Sequence, residues 1–129
     1  MNSNHLEPIE SGFGEDKIVV YLRRIWVEEE EAYNEKFTEV LGLPDAKKRE
    51  FEIIRDALGE FSVKPPEKFT KVEGQKTAVP LNDKPNAKEA IAEYFATRTL
   101  ENDRVIRDLF FSFKRAQQPE TRFLPRSAS

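Results

Sequence analysis

The stretch Asp103-Arg-Val-Ile-Arg-Asp-Leu-Phe-Phe-Ser-Phe-Lys-Arg-Ala116 holds the densest set of large apolar side chains at helical spacing in this chain. Its apolar positions recur at i, i+1, i+4, i+5 and i+8, which predicts a helix with one wide apolar stripe: Val105, Ile106, Leu109, Phe110 and Phe113. Phe111 points away from that stripe. So much aromatic surface must be covered by the rest of the chain or by a partner. Phe110, Phe111 and Phe113 are therefore candidate partner-binding residues.

The residues just before this stretch predict a separate, shorter helix. Asn86 is a suitable N-cap, and an apolar stripe follows it at Ala87, Ala90, Ile91, Tyr94 and Phe95. Thr99 can cap the last helix, and the apolar phase shifts between Phe95 and Val105. We therefore expect a break at Thr99 and a last helix that runs to about Gln117.

Residues 118–129 predict a flexible C-terminal tail, because Pro119 stops the helix and no periodicity follows. Phe123 and Leu124 lie in this tail between Arg122 and Arg126. The pair either docks onto the domain or serves as a short partner-binding segment, and a freely disordered tail is equally compatible with the sequence. Phe123 and Leu124 are kept as candidate partner-binding residues.

Two further helices are predicted nearer the N-terminus. The first spans about residues 28–41 and ends at Gly42 and Pro44; its apolar positions are Ala32, Tyr33, Phe37, Val40 and Leu41. The second follows an Asp45 cap and fades at Phe61 to Val63, before Lys64-Pro65-Pro66; its stripe is Phe51, Ile54, Leu58 and Phe61. The short link between them predicts an antiparallel helix pair.

The remaining pattern predicts a small amount of β-structure. Residues 17–27 are dense in β-branched and aromatic side chains, which indicates a strand whose core face is Ile18, Val20, Leu22, Arg24 and Trp26. In the polar connection 67–85, two short runs flank Glu73-Gly74-Gln75 and predict a hairpin with Gly74 at positive φ. If the hairpin pairs with the strand, a three-stranded antiparallel sheet results.

Together these elements predict an α+β fold that is mostly α, with about four helices, an N-terminal strand and a short β-hairpin. We expect one globular domain over residues 17–117, between a mobile arm (1–16) and the flexible tail (118–129). The chain contains no Cys, which excludes disulfides and thiolate sites and fits a cytoplasmic protein. Its first residues do not resemble a signal peptide, and no apolar run is long enough to span a membrane.

Four consecutive glutamates, Glu28 to Glu31, start the first predicted helix. Carboxylates can act as acids, bases or metal ligands when they converge, and Glu28, Glu31 and Glu35 have a spacing that would permit this. Consecutive positions splay around a helix axis, however, and acidic residues favour the positive end of the helix dipole. We therefore expect Glu28, Glu29 and Glu31 to serve solubility and partner contacts, and Glu29→Ala to change stability by only about a few tenths of a kcal/mol.

Charge is divided along the chain. Residues 28–63 hold 11 acidic and 5 basic side chains, whereas residues 64–129 hold 9 acidic and 13 basic ones. This division favours contact between the two parts, either within one chain or between copies that self-associate. The formal net charge of −3 is unfavourable for nucleic acid as a partner.

No catalytic motif or cofactor-binding motif is present. The only histidine, His5, lies in the predicted arm, and Gly12 and Gly14 form no phosphate loop. The sequence therefore favours a non-enzymatic protein-binding or assembly factor without a cofactor. The alternatives are a small inhibitor or adaptor that blocks a single bacterial or host protein and, more remotely, an enzyme that works with carboxylates.

The order of the elements resembles the layout of a known family. A short strand ends in Leu22-Arg23-Arg24-Ile25, a Glu-led helix follows, a second helix ends in Ala57-Leu58-Gly59-Glu60-Phe61, and a polar connection carries Gly74 and Val79-Pro80-Leu81 before the last helices. Over residues 17–117 this order is similar to that of the tail assembly chaperones of long-tailed bacteriophages. The resemblance implies a viral protein in the host cytoplasm that coats the helical tape measure protein in several copies during tail assembly.

Overall fold

The computed structural model describes residues 8–11 and 17–117 of the chain. Within those residues four strands and four helices follow one another in pairs: β1 (Ile9–Glu10), β2 (Lys17–Leu22), α1 (Val27–Val40), α2 (Ala46–Phe61), β3 (Ser62–Val72), β4 (Gln75–Pro80), α3 (Ala87–Tyr94) and α4 (Leu100–Gln117). The strands form one antiparallel sheet in the order β1-β2-β3-β4. The predicted α+β class is confirmed.

The sheet has one strand more than the sequence predicted. Ile9 and Glu10 pair with Val20 and Val19 of β2, and the Ser11 N–H donates to the Ile18 carbonyl at 2.8 Å. Ile9 and Ser11 are both buried. Part of the predicted mobile arm therefore forms an edge strand. A strand of two residues is too short to show a periodic pattern, so the sequence does not reveal it.

The N-terminal strand is shorter than predicted. β2 ends at Leu22, and α1 already begins at Val27. Ile18, Val20 and Leu22 are buried as expected, but Arg24 and Trp26 are exposed instead of lying on the core face. The strand cannot continue because the Trp26 N–H donates to the Glu29 side chain at 2.8 Å, which starts the helix instead.

The strand β3 contains Pro65 and Pro66. The sequence predicted only that these prolines would follow the end of a helix. Proline has no N–H to donate, so it is tolerated in sheets at bulges and along unpaired edges. Both conditions hold at Pro65 and Pro66. The register with β2 shifts between the pairs Tyr21↔Lys64 and Val19↔Glu67, and pairing with β4 reaches only as far as Glu67↔Pro80. The β-hairpin is therefore longer than the short one predicted within the 67–85 connection, because β3 already begins at Ser62.

The turn of that hairpin has the predicted geometry at Gly74. Val72 pairs with Gln75, which leaves Glu73 and Gly74 as the two turn residues. Their φ angles are +53° and +82°, as in the two-residue turns that match the twist of antiparallel strands. Glycine adopts this conformation without a steric penalty, whereas Glu73 does not.

The helices cover the sheet with a core centred on α4. Every member of the stripe predicted for this helix is buried: Val105, Ile106, Leu109, Phe110 and Phe113. The α2 stripe lies in the same core, together with Tyr33 of α1 and Phe95 after α3. The predicted side-chain caps form at Asn86, which accepts from the Glu89 N–H at 2.9 Å, and at Thr99, which accepts from the Asn102 N–H at 3.0 Å. Asp45 precedes α2 as predicted, but its side chain makes no cap hydrogen bond.

Candidate protein-binding groove

A groove lies between α1 and α4, with α2 below it. Its volume is about 590 Å³, and it is open to solvent along one side. Its lining residues come from all three helices: Asn34, Phe37, Thr38, Glu50, Ile54, Arg107, Phe110, Phe111 and Lys114. We refer to it as the α1–α4 groove.

The floor of the groove is aromatic and rigidly packed. The Phe110 ring centroid lies 5.8 Å from that of Phe37 and 5.3 Å from that of Tyr33, so a single ring of α4 joins two rings of α1. Phe111, the next residue, projects outward at the groove edge and is 59% exposed. Its ring lies 4.8 Å from the Arg115 guanidinium, a cation–π arrangement that keeps the exposed ring at the helix surface.

One end of the groove carries an ionic network that ties α4 to α2. The Arg107 guanidinium donates to Asp103 at 2.9 Å, to Glu50 at 3.1 Å and to the Lys47 carbonyl at 3.1 Å. Burial raises the pKa of the Asp103 carboxyl, but hydrogen bonds from Arg98 and Arg107 outweigh burial and hold that pKa below its usual range. Asp103 therefore stays charged near neutral pH, and the network closes this end of the groove.

The acidic run on α1 is divided between two roles. Glu28 and Glu31 are exposed on the helix, and together with Glu35 they form a row that adjoins the groove through Asn34 and Thr38. We call Glu28, Glu31 and Glu35 the acidic row. In residues 8–11 and 17–117, no group of three or more acidic or histidine side chains is arranged to hold a metal ion.

Glu29 is engaged within the molecule instead. Its two carboxylate oxygens accept from the Arg23 guanidinium at 3.0 and 2.8 Å, and the first of them also accepts from the Trp26 N–H. The hydrogen bond from Arg23 holds the pKa of this carboxyl below its usual range. Beyond the solubility and partner contacts expected of Glu29, its carboxylate caps α1 and ties it to the end of β2.

A second, narrower cleft of about 190 Å³ lies between α1 and α2. It is lined by Glu29, Lys36, Asp56 and Glu60, with Tyr33 at its inner side. Burial raises the pKa of Tyr33 to about 12, and its hydroxyl has no hydrogen-bond partner within the part of the protein that is described. A phenol with this raised pKa keeps its proton at neutral pH, so Tyr33 does not act as a general base there.

The sequence-predicted site residues fall into three groups. Phe110 and Phe113 belong to the core, with 5% and 0% of their surface exposed, so a partner could reach Phe113 only if the core opened. Phe111, Glu28 and Glu31 are exposed along one side of the molecule, while Glu29 is held by Arg23. Phe123 and Leu124 lie outside the described residues, as does His5.

Some surface residues were not identified from the sequence. Phe37, an apolar position predicted for the first helix, packs against the core but stays partly exposed at the groove. Trp26, which the strand pattern predicts on the core face, is 70% exposed. A run of acids directly after a strand is a helix-start signal, and it would have placed Trp26 outside the strand.

Comparison of this chain with family models, curated proteins and solved structures finds no match in any of the three. In the described ranges, none of the helices combines the length and the hydrophobicity that crossing a membrane requires.

Proposed function

We propose that this protein is a non-enzymatic protein-binding or assembly factor that holds an amphipathic helix of its partner in the α1–α4 groove. The observation that carries the proposal is the exposed Phe111 beside a groove whose floor is made of Phe37, Ile54 and Phe110. Helices bind to such grooves by inserting an apolar ridge spaced at i, i+3, i+4 and i+7. Large aromatic side chains at the edge of a groove are typical anchors of binding energy.

The charges around the groove indicate how such a partner would be oriented. The acidic row lies on the α1 side, whereas Lys114 lies on the α4 side. A helix with basic side chains on one flank and acidic side chains on the other would complement both sides. Its preferred orientation would place the basic flank along α1.

The finer form of the proposal is a tail assembly chaperone that coats a long helical protein such as a tape measure protein. It is supported by the order of the elements between residues 17 and 117 and by a groove that is open to solvent along one side, so that a segment of a long helix could enter it from that side. Several copies would then line up along one partner, and weak individual contacts would add up through multivalency.

A labelled synthetic helix tests the proposal directly. The probe is an amphipathic peptide with a leucine ridge, lysines on one flank and glutamates on the other, and its binding is followed by fluorescence anisotropy. We expect Phe111→Ser to weaken the affinity by about tenfold or more, as loss of an anchor residue does. Leu100→Ser is the matched control, because Leu100 is 70% exposed on the same helix but outside the groove. It should leave the affinity unchanged.

Two further measurements test the acidic row and distinguish an assembly factor from an inhibitor or adaptor. Charge reversal by Glu31→Lys with Glu35→Lys should weaken binding of the peptide, and the effect should fade at high salt. The mass of a complex with a longer tandem peptide should correspond to several copies per peptide; one copy per peptide would favour an inhibitor or adaptor instead. Equal affinity of the wild type and Phe111→Ser, with both folded, would refute the groove as the binding site.

A further inference from the structure

A second exposed apolar surface lies at the start of α1. Trp26 is 70% exposed and its neighbour Val27 is 64% exposed, although both are large apolar residues. The first turn of the helix beside them carries Glu28, and the next carries Glu31. We call Trp26 and Val27 the Trp26 patch. Adjacent apolar side chains left exposed next to charges are typical of a contact surface.

The end of α4 is held directly beside this patch. The side-chain oxygen of Gln117 accepts from the Ile25 N–H at 3.2 Å, and its side-chain nitrogen donates to the Arg23 carbonyl at 3.5 Å. These bonds fix the last residue of α4 next to the backbone that leads into Trp26. The polypeptide that follows Gln117 therefore starts at the edge of the Trp26 patch.

The sequence that follows has a composition complementary to that of the patch. Arg122-Phe123-Leu124-Pro125-Arg126 places two apolar residues between two arginines, opposite two apolar residues that are followed by glutamates. The six residues 118–123 span up to about 20 Å when extended. The first two turns of α1 are only about 11 Å long, so the segment reaches the whole surface without any change in the fold.

We propose that residues 122–126 bind to the Trp26 patch of the same molecule. Phe123 and Leu124 cover Trp26 and Val27, while Arg122 and Arg126 pair with Glu28 and Glu31. Because the segment is tethered a few residues away, its effective concentration is in the millimolar range, so a contact whose dissociation constant lies below that range is mostly formed. This inference goes beyond the proposed function, because it concerns a contact within one chain. The two proposals share Glu28 and Glu31, so the bound segment would compete with the basic flank of a partner helix for the acidic row.

The only tryptophan of the chain, Trp26, reports on this contact in the full-length protein. The double variant Phe123→Ser/Leu124→Ser removes the apolar residues of the segment and keeps the chain length. We expect it to raise the acrylamide quenching constant of Trp26 fluorescence by about twofold or more, because the tethered contact is mostly formed in the wild type. The emission maximum should shift to longer wavelength as the indole becomes hydrated.

Two variants and one dilution series complete the test. Arg122→Glu/Arg126→Glu should also increase quenching, whereas Ser127→Ala/Ser129→Ala, outside the segment, should not. Equal melting temperatures would show that the fold is retained. Equal quenching in the wild type and in the Phe123→Ser/Leu124→Ser variant would overturn the proposal. Protection of Trp26 that disappears on dilution would also overturn it, because the segment would then come from a second copy.

Discussion

Glu29 performs two structural tasks with one side chain. Its bidentate contact with Arg23 and its hydrogen bond from the Trp26 N–H hold the end of β2 against the start of α1. A helix cap and a partly buried ion pair together stabilise a fold by about 1 to 2 kcal/mol. This exceeds the few tenths expected for an isolated glutamate on a helix surface.

The contribution of Glu29 depends on pH in a defined direction. Because Arg23 holds the pKa of Glu29 below its ordinary value of 4.5, the stabilisation is present above that value and is lost as the pH falls through the lower, folded-state pKa. We expect Glu29→Gln to lower the free energy of unfolding at neutral pH, and the difference from the wild type to shrink in acid. Urea denaturation between about pH 7 and pH 3 measures this.

The matched control for that series is Glu31→Gln, an exposed position on the same helix. It should change the free energy of unfolding by no more than a few tenths of a kcal/mol. A difference between wild type and Glu29→Gln that stays constant over the whole pH range would contradict the role of the Arg23 contact.

At the scale of the elements, the stability of the β3–β4 hairpin depends on the backbone conformation of its turn. Gly74 and Glu73 both have positive φ angles, and a Cβ added at Gly74 would meet no atom within 4 Å, so only backbone conformation opposes a side chain there. We expect Gly74→Ala to destabilise the protein by about 1 to 2 kcal/mol. Glu73→Asn should act in the opposite direction, because Asn tolerates positive φ better than Glu.

Urea denaturation of these two turn variants provides an internal comparison. The substitutions lie next to each other, yet their effects on the free energy of unfolding should have opposite signs. If both variants were destabilised alike, the turn would be sensitive to its side chains and not to its backbone angles.

At the scale of the whole molecule, contacts between aromatic rings connect the helices α1, α2 and α4. Phe110 contacts the rings of Tyr33 and Phe37 on α1 and lies 6.1 Å from Phe113, whose ring stacks on Phe61 of α2 at 5.9 Å. The acidic part of the chain (28–63) and the basic part (64–129) also contact each other within the molecule, since Arg107 of α4 pairs with Glu50 of α2. One layer of packed rings and one ionic network thus hold the three helices together.

This packing predicts the effect of removing a single ring. Phe110→Ala should lower the free energy of unfolding by about 3 to 5 kcal/mol, because it leaves a cavity where three helices meet. Phe111→Ala, at the next position, should have little effect, since that ring is mostly exposed. Thermal melts of the two variants test this, and a wild-type melting temperature for Phe110→Ala would mean that the ring is not part of the core.

Local patterns allowed much of the fold to be predicted. The α4 stripe, the caps at Asn86 and Thr99 and the Gly74 turn are encoded by neighbours in sequence, through the helical repeat and short-range hydrogen bonds. The strand β1 and the path of β3 through Pro65 and Pro66 were not predictable in this way. Both depend on pairing with residues distant in sequence, which supply the hydrogen bonds that no local pattern reveals.

The same distinction between local patterns and tertiary contacts applies to the candidate site residues. The sequence by itself determined that Phe111 lies off the apolar stripe of its helix and that Phe123 and Leu124 stand between arginines, because spacing and composition are local properties. Only the tertiary structure decided that Phe110 faces inward, that Glu29 is held by Arg23 and that Gln117 brings the end of α4 beside Trp26. Burial and ion pairing depend on which elements meet in space, and that is set by the packing of the whole chain.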